Sequence, residues 1–227
     1  MTILCSADLQ DRLMLEDSLK DPDFFQIKNL FTLKDLFNAR VHLGHKEGML
    51  NLRMKPYIYG VRQKQHIIDL EQTLVLLQQA LNFTAHIAFR NGIIVFLGSL
   101  HQHVYQIEST AMECGEYAHT REWKRGSFTN AGVQYGMGSR LPDLMIFLHT
   151  LNNLFSQHTG IVEGAKLNIP TIGVVDTNCN PRLISYPVPG NDDTPCAMEL
   201  YCRLFKAAIL IGKEKRKEWI EKGFIDD

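Results

Sequence analysis

The sequence has no long apolar run, no regular cysteine pattern and almost no net charge. Its longest uninterrupted apolar runs are five residues, as at 93–97 and 207–211. A membrane-spanning helix needs about 20, so no transmembrane segment is predicted. The five cysteines are an odd number without a C-x-x-C pair, which argues against a secreted disulfide framework and favours a reducing compartment. Twenty-four Lys and Arg against 25 Asp and Glu give a formal net charge of −1, so the total charge does not indicate a nucleic-acid-binding protein.

Phosphate-binding loops are also missing. After the first strongly apolar run comes Gly98-Ser99-Leu100-His101, a single glycine where the dinucleotide-binding pattern G-x-G-x-x-G requires three. The glycine-rich stretch at 136–139 precedes an apolar run instead of following one. The sequence has no Walker A loop. These absences argue against a nucleotide enzyme, and no cofactor is predicted.

The polar residues do not predict a metal or catalytic site. Two pairs of histidines lie close in sequence: His42 with His45, and His101 with His103. Neither pair has a cysteine or carboxylate at the spacing of a metal ligand. The segment that begins at Asp176 has proline where a calcium loop needs glycine and glutamate. Cys179 has no adjacent base or cation, which indicates an inert thiol, and the acidic pair at 192–193 is typical of a turn and a helix cap.

Helical and strand patterns alternate through the middle of the chain. Apolar residues recur every three or four positions from Asp69 to Ala88, which predicts a helix with a broad buried face. Continuous β-branched and aromatic runs predict strands buried on both faces, at 93–97, 144–148 and 171–175. Further helical patterns occur at 104–117 and 154–167. This alternation predicts a parallel sheet with helices on both sides, in a single α/β domain with an N-terminal extension.

The last third of the chain predicts one more strand and a long helix. A run at 184–188 is bounded by proline, which restricts it to a sheet edge. Thr194 and Pro195 are suited to the N-cap and first turn of a helix. We expect this helix to run to about Lys222 and to break near Gly212.

Charge is distributed unevenly along the chain. Residues 1–23 carry six acidic and two basic side chains, a net charge of −4. Residues 40–66 have a net charge of +5, and residues 121–140 a net charge of +3. The cations of 40–66 alternate with Tyr57, Tyr59, glycine and proline, a loop composition that suits contacts with phosphates and bases. A patchwork of solvated faces would give the same pattern, and both interpretations stay open.

Eight short sequence words occur in a fixed order between about residues 31 and 212. They are RVHLGH at 40–45, KPYIYG at 55–60, HIIDLEQT at 66–73, TN at 129–130, LPD at 141–143, NIP at 168–170, DTNC at 176–179 and PGNDD at 189–193. Each word alone is a weak signal, whereas the ordered set is specific. On these words the chain resembles the ribosomal protein S2 family of the small subunit, in its bacterial type.

Two departures make the chain similar to the animal mitochondrial version of that family. Bacterial members carry a long helical hairpin between the words TN and LPD, and here only residues 131–140 separate the two words. The phrase CGEYAHTR at 114–121 also resembles the animal mitochondrial version. Within 122–130, Arg125 replaces a glycine of the family pattern, which adds a charge suited to RNA.

The resemblance implies a three-layer flavodoxin-like (Rossmann-like) α/β fold with a five-stranded, mainly parallel sheet. It implies a structural component of the mitochondrial small ribosomal subunit, in the matrix, without catalysis, cofactor, membrane contact or small-molecule substrate. Its partners would be small-subunit rRNA and neighbouring small-subunit ribosomal proteins. We expect an acidic N-terminal extension at 1–30, one α/β domain at 31–212 that includes the basic segment 40–66, and a charged helical tail at 213–227.

We expect the two basic segments to contact rRNA, the cations through phosphates and the aromatics by packing or stacking. The residues predicted to bind RNA are Arg53, Lys55, Tyr57, Arg62, Lys64, Trp123, Lys124 and Arg125. One alternative is a nucleotide- or small-molecule-binding enzyme of doubly wound α/β fold, with its site at the carboxyl edge of the sheet near Gly98, His149 and Asp176. Another is a soluble adaptor outside the ribosome.

Overall fold

A computed structural model of the chain describes residues 18–19, 21, 23–136, 138–152 and 156–221. The strands of this part are β1 (Leu43–Lys46), β2 (Ile58–Arg62), β3 (Gln65–Ile68), β4 (Ile94–Leu97), β5 (Tyr117–His119), β6 (Leu144–Phe147), β7 (Thr171–Val175) and β8 (Tyr186–Pro189). The α-helices are α1 (Leu33–Asn38), α2 (Leu70–Phe89), α3 (Val104–Cys114), α4 (Ala131–Gln134), α5 (Thr159–Lys166) and α6 (Pro195–Glu221).

The last five strands form one all-parallel sheet in the order β5-β4-β6-β7-β8. Counted among themselves in chain order, these strands are arranged 2-1-3-4-5, which is the flavodoxin-like arrangement. β4, β6 and β7 fall within the three predicted strands, and β8 is an edge strand as predicted. Helices cover both faces, so the predicted three-layer α/β fold is confirmed.

One face of the sheet packs against α2, α3 and α6. Asp69 begins α2 by accepting a hydrogen bond from the Glu71 N–H at 3.0 Å, and Gly115 ends α3 at a φ of 66°, earlier than the predicted end at 117. α2 and α6 approach closely, because a Cβ built on Gly212 would lie 2.5 Å from the Ala85 carbonyl oxygen. The predicted break near Gly212 is therefore wrong: α6 continues to Glu221, and the glycine serves the contact between the helices.

The opposite face is covered by α5 and by irregular segments. The predicted helix at 154–167 begins late: residues 154–155 lie outside the described residues, residues 156–158 are not helical, and α5 begins at Thr159. The His158 side chain caps it by accepting a hydrogen bond from the Gly160 N–H at 3.1 Å. The buried side chains of this face form a cluster that includes Met54, Trp123 and Ile161. We call this the second cluster. It joins both basic segments to the same face of the sheet.

The basic segment 40–66 contains strands of a small sheet and a 3-10 helix at Leu52–Tyr57, where its composition predicted loops. β1, β3 and β2 form an antiparallel sheet in that order. The strands do not show the usual alternation of apolar and polar residues in the sequence. Their pairing shifts register between Leu43 and Lys46 and again between Ile58 and Gly60, and such a shift changes which residues face one side of the sheet. The edge strand β5 was also not predicted, and its first residue, Tyr117, falls at the end of the predicted helix 104–117.

The two ends of the described chain pack together on the α2 and α6 side. Phe25 and Ile27 are buried in the core, and the Phe24 and Trp219 rings meet edge to face with centroids 5.8 Å apart. The predicted extension and tail thus contain residues that pack against the domain, while their boundaries at 30 and 212 stay predictions. None of the described helices is both long and apolar enough to cross a membrane.

Candidate nucleic-acid interface

The β2–β3 hairpin presents two of the predicted RNA-binding cations. Its two-residue turn consists of Gln63 and Lys64, with φ angles of 51° and 61°, the left-handed conformation at both central positions that a type I′ turn requires. This turn matches the right-handed twist of the strands and places Lys64 at the tip. Arg62 and Lys64 are both exposed.

A short 3-10 helix, Leu52–Tyr57, presents two more cations. Asn51 caps it by accepting a hydrogen bond from the Arg53 N–H at 3.1 Å, and Met54 is fully buried in the second cluster. Because Met54 faces inward, Arg53 and Lys55 on either side of it are exposed. Tyr57 is only partly buried and packs against the second cluster.

His45 holds the small sheet against the carboxyl edge of β7. Its backbone N–H donates to the Thr177 hydroxyl oxygen at 3.0 Å, and its Nδ1 lies 2.9 Å from Asp176 Oδ2. Nε2 lies 3.3 Å from Asp193 Oδ2. The hydrogen bond to Asp176 and the surrounding carboxylates outweigh burial and raise the pKa of His45 to about 9, so the imidazole is charged at pH 7. This ion pair fixes the position of β1 and its neighbours.

We expect His45→Gln to lower the free energy of unfolding by about 2 kcal/mol at pH 6.5. The pKa is raised in the folded state, so the contribution is fully present below the ordinary value of 6.5 and is lost as the pH rises through about 9. Urea unfolding of the wild type and the variant at pH 6.5 and pH 10 measures the difference in free energy of unfolding at each pH. His101→Gln, at an exposed histidine, is the control. A His45→Gln protein whose stability changes with pH as the wild type does would contradict the role of the ion pair.

The second basic segment, 121–140, includes a loop that hydrogen bonds to the buried carboxylate of Glu163. Glu163 Oε1 accepts hydrogen bonds from the Gly126 N–H at 2.7 Å and from Trp123 Nε1 at 3.3 Å. Oε2 accepts one from the Phe128 N–H at 3.0 Å. The loop is therefore ordered, and its cations Lys124 and Arg125 point to solvent. Glu163 is a residue of this site that sequence reasoning missed, because nothing in the sequence relates a helical glutamate to a loop 34 to 40 residues earlier.

The structure places the predicted residues in two groups. Six cations are exposed, and we call them the basic surface: Arg53, Lys55, Arg62, Lys64, Lys124 and Arg125. Trp123 is only 8% exposed, so it packs under the loop and does not offer a face for stacking. Tyr59, at 82% exposed, is the exposed aromatic beside these cations, and Arg182 is a further exposed cation on a segment that contacts Leu52–Tyr57.

The three residues named for an enzyme site at the carboxyl edge of the sheet are engaged within the protein, although a cavity of about 720 Å³ lined by Asp176 lies beside them. At the switch point between β4 and β6, a Cβ on Gly98 would overlap Ile107 Cδ1, and the buried His149 ring stacks on the His103 ring with centroids 5.4 Å apart. Asp176 is paired with His45. Burial raises the pKa of the Cys179 thiol to about 12, so this thiol is not a nucleophile at neutral pH.

One group in the described part of the chain could hold a metal ion. Ligand atoms of His45, Asp176 and Asp193 lie within 4.8 Å of one another, and the fold brings these carboxylates to a histidine from which they are more than 130 residues distant in sequence. Nitrogen and carboxylate ligands suit Zn²⁺. The same atoms already satisfy one another as an ion pair, so the geometry does not require an ion.

Comparisons with known proteins agree with this fold. The family model for Ribosomal protein S2 matches residues 36–137 and 132–212. The chain is similar to small ribosomal subunit protein uS2m of Bos taurus, with 59% identity over 205 residues, 90% of this chain and 70% of the bovine protein. It is also similar to small ribosomal subunit protein uS2 of Wolbachia pipientis wMel, with 35% identity over 228 residues, 81% of this chain and 79% of the relative. The uS2 protein of a Nitratiruptor species is 32% identical over 238 residues, 85% of this chain and 86% of the relative.

The β5–β6 connection is the place where the chain departs from its bacterial relatives. The two segments matched by the family model meet at residues 132–137. The Wolbachia alignment has 228 positions for 81% of this chain, about 184 residues, which leaves about 44 positions opposite gaps. The bovine alignment leaves almost none, so the short connection is shared with uS2m, as the resemblance implied. Family model and relatives each cover most of the sequence, and the chain belongs to the ribosomal protein S2 family.

Proposed function

We propose that this chain is a structural component of the mitochondrial small ribosomal subunit and that its basic surface attaches it to rRNA. The bovine relative uS2m is the mitochondrial small-subunit protein, and the relatives compared are named as ribosomal proteins and not as enzymes. The partners of the chain are small-subunit rRNA and neighbouring small-subunit ribosomal proteins.

The exposure of six cations on well-anchored segments carries the rRNA proposal. Met54 and Trp123 fix the two segments to the second cluster, and no cation of the basic surface forms an ion pair with a carboxylate among the described residues. Unpaired cations on an ordered backbone are suited to phosphates, because binding releases counterions without a large cost of ordering. Tyr59 adds an aromatic face to the same surface.

Reversing two of these charges should weaken attachment. We expect Arg53→Glu/Lys55→Glu to lower the affinity of the purified chain for small-subunit rRNA and to reduce the slope of log affinity against log salt by about 2, about one for each phosphate that is no longer neutralised. Filter binding at several salt concentrations measures the slope. In cells, gradient sedimentation should show less of this variant in the small subunit.

The matched control is Lys28→Glu/Lys34→Glu, which makes the same change in charge at exposed lysines. These lysines lie on segments that pack against the other face of the domain. Equal decreases in affinity for both double variants would refute specific contacts by Arg53 and Lys55. A wild-type chain found only at the top of the gradient would overturn the ribosomal function itself.

Neighbouring proteins provide the second set of contacts. Residues 1–23 carry a net charge of −4, which is unsuited to binding rRNA, so this part of the N-terminal extension contacts neighbouring proteins in our proposal. Its acidic residues up to Asp17 lie outside the described residues. The charged tail after Gly212 has the same role in this proposal.

A further inference from the structure

The connection between β5 and β6 leaves part of the large sheet uncovered. Its described residues contain only one helical turn, α4, whereas parallel strands are usually joined by a longer helix that covers the sheet. Val95 pairs in register with Tyr117 and is only partly buried, although the other residues of β4 are fully buried. A parallel sheet is normally buried on both faces, so this face is incompletely covered at Val95 and Tyr117.

A largely apolar groove of about 410 Å³ lies at this place. Its lining includes Ile93, Val95, Tyr117, Phe128, Tyr135 and Pro142. Tyr117 is 62% exposed and Tyr135 63% exposed, and the two rings belong to one apolar lining, whereas exposed apolar residues are usually scattered singly. The apolar surface is therefore available to another chain.

The charged residue that lines the groove is a cation. Arg140 contributes to the lining and pairs with Asp143 at 3.2 Å, with both side chains well exposed. The pair leaves other guanidinium donors free, and no carboxylate is among the groove-lining residues that the structure describes. His119 also lines the groove, and burial lowers its pKa, so it is neutral at pH 7. The free guanidinium donors of Arg140 favour a carboxylate on whatever binds there.

The comparison with relatives points to the same place. The two segments matched by the family model meet within the β5–β6 connection, which is the connection beside the groove. The floor of the groove consists of two adjacent strands. An element that covers two strands of a parallel sheet is typically a helix, whereas an added strand would pair along the outer edge of β5.

We propose that this groove binds an amphipathic helix of a neighbouring small-subunit protein, with apolar side chains in the groove and a carboxylate against Arg140. The partner's helix takes the place of the covering helix that this chain lacks. Apolar side chains at positions i and i+4 would lie against Tyr117 and Tyr135. The inference rests on the proposed function, because the partner belongs to the same subunit.

The test compares the protein composition of small subunits that contain different variants of this chain. We expect Tyr117→Asp/Tyr135→Asp to reduce one small-subunit protein by about fivefold or more, since buried aromatic anchors provide much of the binding free energy. Quantitative mass spectrometry of purified subunits measures this. Tyr105→Asp/Met112→Asp makes a matched change at exposed apolar residues of α3 and should leave that protein unchanged.

Crosslinking identifies the occupant. p-Benzoylphenylalanine at position 135 should crosslink, in intact subunits, to the protein whose amount falls, within an amphipathic helical segment that carries acidic residues. A crosslink to rRNA or to a second copy of this chain would overturn the proposal, as would normal subunit composition with the double variant incorporated. If the wild-type chain were absent from small subunits, the proposed function would fail as well, so the two failures are distinguishable.

Discussion

Gly212→Leu is expected to lower the free energy of unfolding by about 4 kcal/mol or more, or to prevent folding. A side chain here would enter the contact between α2 and α6. The first added atom would already lie 2.5 Å from the Ala85 carbonyl oxygen and 3.2 Å from the Phe89 backbone nitrogen. Backbone atoms cannot rotate away as a side chain can, so the two helices would have to separate. Chemical denaturation followed by circular dichroism measures the decrease.

Alanine variants separate this packing effect from helix propensity. In an open helical position, Gly→Ala stabilises a protein by up to about 1 kcal/mol, and this is expected for Gly132→Ala in α4, where an added Cβ meets nothing within 4 Å. Gly212→Ala should instead destabilise the domain by about 2 kcal/mol. If both alanine variants were equally stable, the close approach of α2 and α6 would not be required.

Glu163→Ala is expected to cost about 3 kcal/mol and to disorder the loop that presents Lys124 and Arg125. The substitution leaves the N–H groups of Gly126, Phe128 and the Trp123 ring without their acceptor. Unpaired donors in a buried site are costly, and the loop should open to pair them with water. Hydrogen exchange at residues 123–129 measures the opening, and denaturation measures the cost.

The pH dependence of stability should change with Glu163. Burial raises the pKa of this carboxyl, but the hydrogen bonds from the loop together lower it by more. The pKa therefore lies below its ordinary value of 4.5. A lowered pKa stabilises the fold fully above pH 4.5, and this stabilisation is lost as the pH falls through the native pKa. Glu163→Gln should therefore lose less stability between pH 5 and pH 3 than the wild type. Glu199→Gln, at an exposed glutamate, should behave like the wild type.

The elements that the sequence predicts are those with a long apolar pattern, because their residues pack against the core. The β6 run is apolar at every position because both faces of this strand are covered, and α2 shows its periodicity because one side of it packs against the core. β5 escapes the same reasoning since it has three residues, two of them well exposed, at an edge of the sheet. The prediction at Gly212 is wrong because glycine in a helix indicates a break, unless a neighbouring helix requires it.

The site was less predictable than the fold. The exposure of Arg53, Lys55, Arg62 and Lys64 agrees with the charge pattern of segment 40–66, although their role in binding RNA stays a prediction. The small sheet that presents them is held by contacts such as His45 with Asp176, which are 131 residues apart. Contacts at this separation leave no periodic signal in one sequence. Trp123 was misjudged for a different reason. An aromatic residue among cations gives the same sequence pattern whether its ring is exposed for stacking on RNA or buried in the core.

The contact between Phe24 and Trp219 has a practical consequence for labelling the protein. Residues 24 and 219 lie at adjacent points of the domain, since these two rings are in direct contact on the side of the sheet covered by α2 and α6. The basic surface is anchored to the opposite side. A fluorophore or affinity tag joined near either point would therefore project away from the basic surface. Two dyes placed near these points would report the opening of the α2–α6 side by energy transfer, without altering the cations under study.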